Sequence, residues 1–177
     1  MTTGVTGGVT RDLAAPGVRI GRLILQDFRS YAALDLTLDA PAVALVGDNG
    51  AGKTNLLEAI SLFSPGRGLR RAEFADMARR DGPGGFSVSL ALDTPHGEHR
   101  LGTGVAPSVE GRLQRVSRID GEAASSPAAF AEHLRLVWLT PDLDALFRGP
   151  AGDRRRFLDR LVLAVDSGHG ARVAALD

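Results

Sequence analysis

The eight residues Gly47-Asp48-Asn49-Gly50-Ala51-Gly52-Lys53-Thr54 satisfy the pattern G-x-x-x-x-G-K-[ST] in full, and they constrain the fold more than any other stretch. Ala42-Val43-Ala44-Leu45-Val46 before them is apolar and suited to a buried strand. Asn55-Leu56-Leu57-Glu58-Ala59-Ile60 after them has helical spacing, so the loop is predicted to join strand to helix. Glycines at 47, 50 and 52 open backbone angles that let successive N–H groups turn toward phosphate oxygens. The following helix adds its positive N-terminal end. In this pattern Lys53 supplies a point charge for the β- and γ-phosphates and Thr54 a hydroxyl for Mg²⁺. Lys53 is also the only lysine; every other cationic side chain is arginine, so the slim ammonium is kept where a guanidinium would not fit.

The chain has 177 residues, 44% hydrophobic and 24% charged, which describes an ordinary globular domain or one lobe of a larger one. With zero net charge, only local clustering can signal a polyanionic partner. The absence of cysteine excludes disulfides and thiolate metal sites. No apolar run approaches the roughly 20 residues a bilayer requires. No secretory signal pattern opens the chain, and the expected location is cytoplasmic without membrane contact.

Residues 1–17 read as an unstructured tail. From Val18, Ile20, Arg22, Ile24 and Gln26 alternate with Gly21, Leu23, Leu25 and Asp27, which predicts a strand with at least one buried face; Phe28-Arg29-Ser30-Tyr31 is a turn, and Ala33 to Leu38 a second strand. Ser64-Pro65-Gly66-Arg67-Gly68 ends the loop helix. Arg67, Arg70, Arg71, Arg79 and Arg80 then cluster, either as a solvated face or as a patch facing phosphates. Phe86 to Leu92 alternates as a half-buried strand, Thr94-Pro95-His96-Gly97 turns it, and Glu98 to Val105 returns as its hairpin partner. His96 and His99 lack partners with metal-ligand spacing and read as turn and surface residues. Arg115 to Ile119 is a further strand ending at the turn Asp120-Gly121. Pro127 opens a short helix, and Leu134 to Leu139 reads as a compact strand. After Gly149-Pro150, Phe157, Leu158, Leu161, Val162 and Val165 fall on one helical face. Leu161 to Asp166 therefore continues a helix and does not form an acid-terminated strand.

Leu25-Gln26-Asp27-Phe28-Arg29-Ser30-Tyr31 and Val46 to Ile60 resemble the opening of the RecF family of DNA repair ATPases. Asn49 and Thr54-Asn55-Leu56-Leu57-Glu58-Ala59 are shared with the wider SMC, Rad50 and OLD-like group. Trp138-Leu139-Thr140-Pro141-Asp142-Leu143-Asp144 and Asp153-Arg154-Arg155-Arg156-Phe157-Leu158-Asp159 look like RecF specifically. The resemblance runs from Val18 to the last residue and corresponds to the family's N-terminal half. Family members are longer, and their C-terminal part supplies the signature segment and Walker B acids, neither of which appears here. Where ABC-type heads often carry a Mg²⁺-sensing Gln, this sequence has Thr140-Pro141.

The resemblance implies an α/β fold, a P-loop NTPase of ABC-ATPase head type. It has a mixed sheet around the P-loop helix, an adjoining antiparallel β subdomain, and the start of a helical lobe. Lobe I would span 18–148 and lobe II begin at 149, incomplete at 177. It implies ATP and Mg²⁺ as cofactors, with 47–54 as the binding loop and Thr54 on the metal. It further implies an ATP-gated homodimer that binds single-stranded or gapped duplex DNA and promotes RecA loading with RecO and RecR. Arg29, Arg67, Arg70 and Arg71 are candidates for phosphate or DNA contacts. Full-length members would be slow ATPases. Two alternatives are a nucleotide-binding fragment without turnover and the head of an OLD-like ATPase-nuclease.

Overall fold

The computed structural model describes residues 17–107, 113–141, 146 and 149–166. The tail up to residue 16, Asp142-Leu143-Asp144 of the RecF-like motif, and the helical pattern at Ala174–Asp177 lie outside the described residues.

Six strands form one antiparallel sheet. They are β1 (Arg19–Phe28), β2 (Tyr31–Thr37), β3 (Phe86–Thr94), β4 (Gly97–Pro107), β5 (Leu113–Ile119) and β6 (Glu122–Ala123), in the order β2-β1-β3-β4-β5-β6. Register places apolar residues in a row across the strands: Leu36 opposite Leu23, Leu23 opposite Leu90, Leu90 opposite Leu101, and Leu101 opposite Ile119. Side chains on a strand alternate between faces, so this register gathers Leu23, Leu25, Val88, Leu90, Leu92 and Leu101 on one buried face. That face packs against α1 (Lys53–Ser61), whose Leu56 and Ala59 are buried, and against Leu62 and Phe63 just beyond it. Each such side chain contributes about 1.5–3 kcal/mol by leaving water. The strand predictions at Val18, Ala33, Phe86, Glu98 and Arg115 thus fall on β1 to β5. Asp120 and Gly121, both at positive φ, make the tight turn into β6.

Arg115 ties this sheet to the far end of α1. Its guanidinium donates to the carbonyl oxygens of Leu62 and Gly66 and to Thr103 Oγ1, and lies 5.7 Å from the Phe74 ring centroid. A cation there faces the negative end of the helix dipole. Burial holds the guanidinium pKa below its usual value.

Two predicted strands are not formed. Ala42–Val46 is irregular, with Val46 92% exposed, and Leu134–Leu139 is irregular, with Leu139 76% exposed. A strand requires a neighbour to receive its ladder hydrogen bonds, and no described segment pairs with either. The mixed sheet expected around the P-loop helix is therefore absent among the described residues, where the sheet is wholly antiparallel. The short α2 (Phe74–Met77) was not expected. The helix opened by Pro127 is 3-10, Pro127–Glu132. Helix α3 (Ala151–Val165) runs through Leu161–Val165, as the periodicity requires.

Candidate phosphate-binding loop

The loop enters α1 through Gly52, the helix N-cap, at φ 96°. A Cβ there would also stand 2.6 Å from Tyr31 Oη and 3.1 Å from Ser30 Oγ, so only glycine fits both the backbone angle and the space. The turn between β1 and β2 thus rests directly on the loop. Asn55 Nδ2 donates to Ser30 Oγ at 3.0 Å and fastens the first turn of α1 to the same place.

Lys53 folds back over the loop: its Nζ donates to the carbonyl oxygens of Gly47 and Asp48 at 2.5 and 2.7 Å. The amide of Ala51 donates to the Asp48 carbonyl oxygen. Among the described residues no backbone acceptor takes the amides of Asn49, Gly50, Gly52, Lys53 or Thr54. These donors cluster at a helix N-terminus whose first turn carries no acidic residue. Unpaired amides, the helix dipole and one ammonium together favour an anion with several oxygens. Thr54 is exposed at the mouth of this arrangement.

Behind the loop lies a buried ionic cluster that sequence reasoning missed. Glu58, fully buried on α1, accepts from Arg29 Nε at 2.9 Å and Arg29 Nη2 at 2.6 Å, and from Arg70 Nη1 at 3.0 Å. Arg29 also donates to the Asp76 carbonyl oxygen at 2.6 Å, and Arg70 to Asn55 Oδ1 at 3.0 Å. A carboxylate flanked by Leu56 and Ala59 on the apolar side of a helix was the available signal, since a buried charge requires a partner.

The four arginines predicted as phosphate or DNA contacts therefore sit in different settings. Arg29 is held bidentately by Glu58 with its side chain only 18% exposed, which makes it a brace for the loop helix. Arg70 shares the same carboxylate but is 42% exposed. Arg67 pairs with Glu73. Arg71 has no hydrogen bond or ion pair among the described residues. The residues 47–54 are brought together; Arg67 and Arg71 are brought to a separate cavity.

Elsewhere, Asp120 accepts from the Arg100 amide at 2.7 Å and His99 Nδ1 lies 2.8 Å from its other oxygen; those contacts hold its carboxyl below the usual range. Among the described residues no group of three His, Cys, Asp or Glu is placed to hold a metal, and no helix is long and apolar enough to cross a membrane.

Comparison with known proteins agrees with this geometry. Residues 22–82, which contain most of β1 together with β2, the loop and α1, match the family model described as an AAA domain. The DNA replication and repair protein RecF of Mesorhizobium japonicum is 60% identical over 158 residues, 89% of this chain and 41% of that protein. RecF of Rhizobium meliloti is 54% identical over 160 residues, covering 90% and 42%. The chain thus spans about two fifths of the length of the curated relatives it matches. Among solved structures, the recombination mediator protein RecF-ATPrS of the RecFOR pathway superposes with a TM-score of 0.74 at 24% identity, over 86% of this chain and 40% of that one. RecF-ATP of the same pathway gives 0.74 at 23% identity, over 89% and 41%. These two likenesses concern the fold alone, an α/β fold consistent with that of a P-loop NTPase. With its phosphate loop braced by the β1–β2 turn, and with this identity sustained over nine tenths of its own length, the chain is similar to a part of the RecF proteins.

Proposed function

We propose that this chain is the ATP-binding part of a RecF-type DNA replication and repair protein, acting in recombinational repair and in the response to DNA damage. The observation that carries the reading is the unpaired amide cluster at the start of α1, with Lys53 as the ammonium beside it. Residues 47–54 would hold the triphosphate. Lys53 would exchange its two carbonyl partners for phosphate oxygens, and Thr54 would offer its hydroxyl to Mg²⁺, which keeps most of its remaining sites for phosphate and water. When bound, ATP and Mg²⁺ would supply a charged group for a second head to contact, held on this side by Lys53 and Thr54. The chain's own residues fix the loop: Glu58 and Arg29 brace α1 from behind, and Tyr31 with Ser30 bounds the loop from the side. ATP biases closure only through contacts stronger in the closed state than in the open one. In the whole protein the closed homodimer would hold single-stranded or gapped DNA and promote RecA loading with RecO and RecR.

The relatives' names and their RecFOR context support this reading. Leu161–Val165 is helical, so this segment is not an acid-bearing strand beside the loop; that favours a second reading for the 177-residue chain, binding without turnover. Titration with fluorescent ATP tests the first: the parent chain binds, and Lys53→Met loses at least about tenfold in affinity, as expected for a charge-assisted contact worth about 1.5–3 kcal/mol. Unchanged affinity would remove Lys53 from the site. In the same samples, phosphate release stays at background.

A further inference from the structure

A cavity of about 600 Å³ opens between the loop after α1, the 3-10 turn and helix α3. Four arginines line it, Arg67, Arg71, Arg135 and Arg156, together with Trp138 and one acid, Asp159. Its size falls in the range of sites that enclose a small organic group, about 300–1,000 Å³. Two of the arginines are neutralised, Arg67 by Glu73 and Arg156 by Asp153. Among the described residues the other two have no carboxylate partner: Arg135 donates to the backbone carbonyl oxygens of Val165 at 2.7 Å and Ala131 at 3.3 Å, and Arg71 has no partner. Arg71 also holds φ at 53°, a left-handed angle unusual for a side chain of its size. Backbone strain of this kind gathers at sites that bind. The remaining wall is apolar, with Leu134 and Leu136 beside the indole.

We infer that this cavity receives one nucleotide of a single nucleic-acid strand, its base against Trp138 and its flanking phosphates on Arg71 and Arg135. The inference rests on the DNA-binding reading above and adds to it a place and a mode of contact. An aromatic ring beside uncompensated guanidiniums suits a base and its phosphodiesters, because every base presents a π-face and every linkage a charge. A free nucleoside triphosphate is already served by the loop at 47–54. Entry of a base also explains why the cavity combines apolar walls with positive charge, whereas duplex backbone alone would require only the charge.

Trp138 is the only tryptophan in the chain, so its emission reports this cavity and nothing else. The experiment follows that emission, and in parallel the anisotropy of fluorescein-labelled strands, on adding a dT12 oligonucleotide, a 12-residue abasic strand or an acidic aromatic peptide. The expected result is binding of both strands, with quenching by dT12 only. Arg71→Gly, which relaxes the strained angle and keeps the fold, should weaken dT12 binding about tenfold and lower the salt slope by about one; Trp138→Ala should weaken it about tenfold while sparing the abasic strand. Binding of dT12 with no change in emission would overturn the cavity assignment and leave DNA binding in place. No dT12 binding by protein that still binds ATP would overturn both. Quenching by the peptide and not by dT12 would overturn the inference in favour of a protein ligand.

Discussion

Glu58 decides more about the loop than any residue within it except Lys53. One carboxylate with no exposed surface meets two guanidiniums, and removing it would leave Arg29 charged, mostly buried and unmatched. Breaking a buried pair from one side costs about 3–5 kcal/mol. Glu58→Ala is therefore expected to lower stability by about 3 kcal/mol, read as a shift in the urea midpoint, and an unmoved midpoint would show that the pair carries no stability. The eight loop residues were legible in the sequence because the motif is contiguous. Arg29 was not, because its partner lies 29 residues away on another element, and an arginine in a turn looks the same whether it faces phosphate or a buried acid. Tyr31 and Ser30 escaped for the same reason: their contact with Gly52 exists only once β1, β2 and α1 are assembled.

Among the elements, the β3–β4 hairpin was the most readable, since one face is buried and the other exposed, and alternation records that difference. Apolar runs at Ala42–Val46 and Leu134–Leu139 recorded a tendency toward burial but not the identity of a neighbour, and without ladder partners they remain irregular. Within the hairpin two glycines of β4 separate packing from propensity. A Cβ at Gly104 would stand 2.3 Å from the Phe86 carbonyl oxygen and 3.0 Å from Ser87 Cα, main-chain atoms that cannot step aside. At Gly102 the nearest atom is 3.8 Å away, on a side chain. Gly104→Ala should cost about 1–3 kcal/mol, as overpacking does, and lower the melting temperature by several degrees. Gly102→Ala should leave it unchanged or slightly raised. Equal melting temperatures for the two variants would refute the steric argument.

For the molecule as a whole, zero formal charge at pH 7 keeps net repulsion small near neutrality, and repulsion grows only as carboxylates protonate, so the onset of acid sensitivity is set by particular pairs. Arg79 and then Gln26 hold the Asp27 carboxyl below the usual carboxylate range; Arg22 does so for Asp35, and the Arg100 amide with His99 for Asp120. A carboxyl whose folded pKa is depressed contributes its stability above the unfolded value, about 3.9 for Asp, and loses it as pH falls through the folded one. The urea midpoint should therefore hold from neutrality down to about pH 4–5 and drop below that. Asp27→Asn should be less stable than the parent at pH 7 and closer to it at pH 3; a gap that stays constant with pH would contradict this. The chain also has a single tyrosine, and it touches the phosphate loop at Gly52, while its single tryptophan lines the cavity beside α3. The two places where this head is argued to meet ligand are thus separately visible in its ultraviolet spectrum without any label, and energy transfer between the two rings would follow how the distance between them changes.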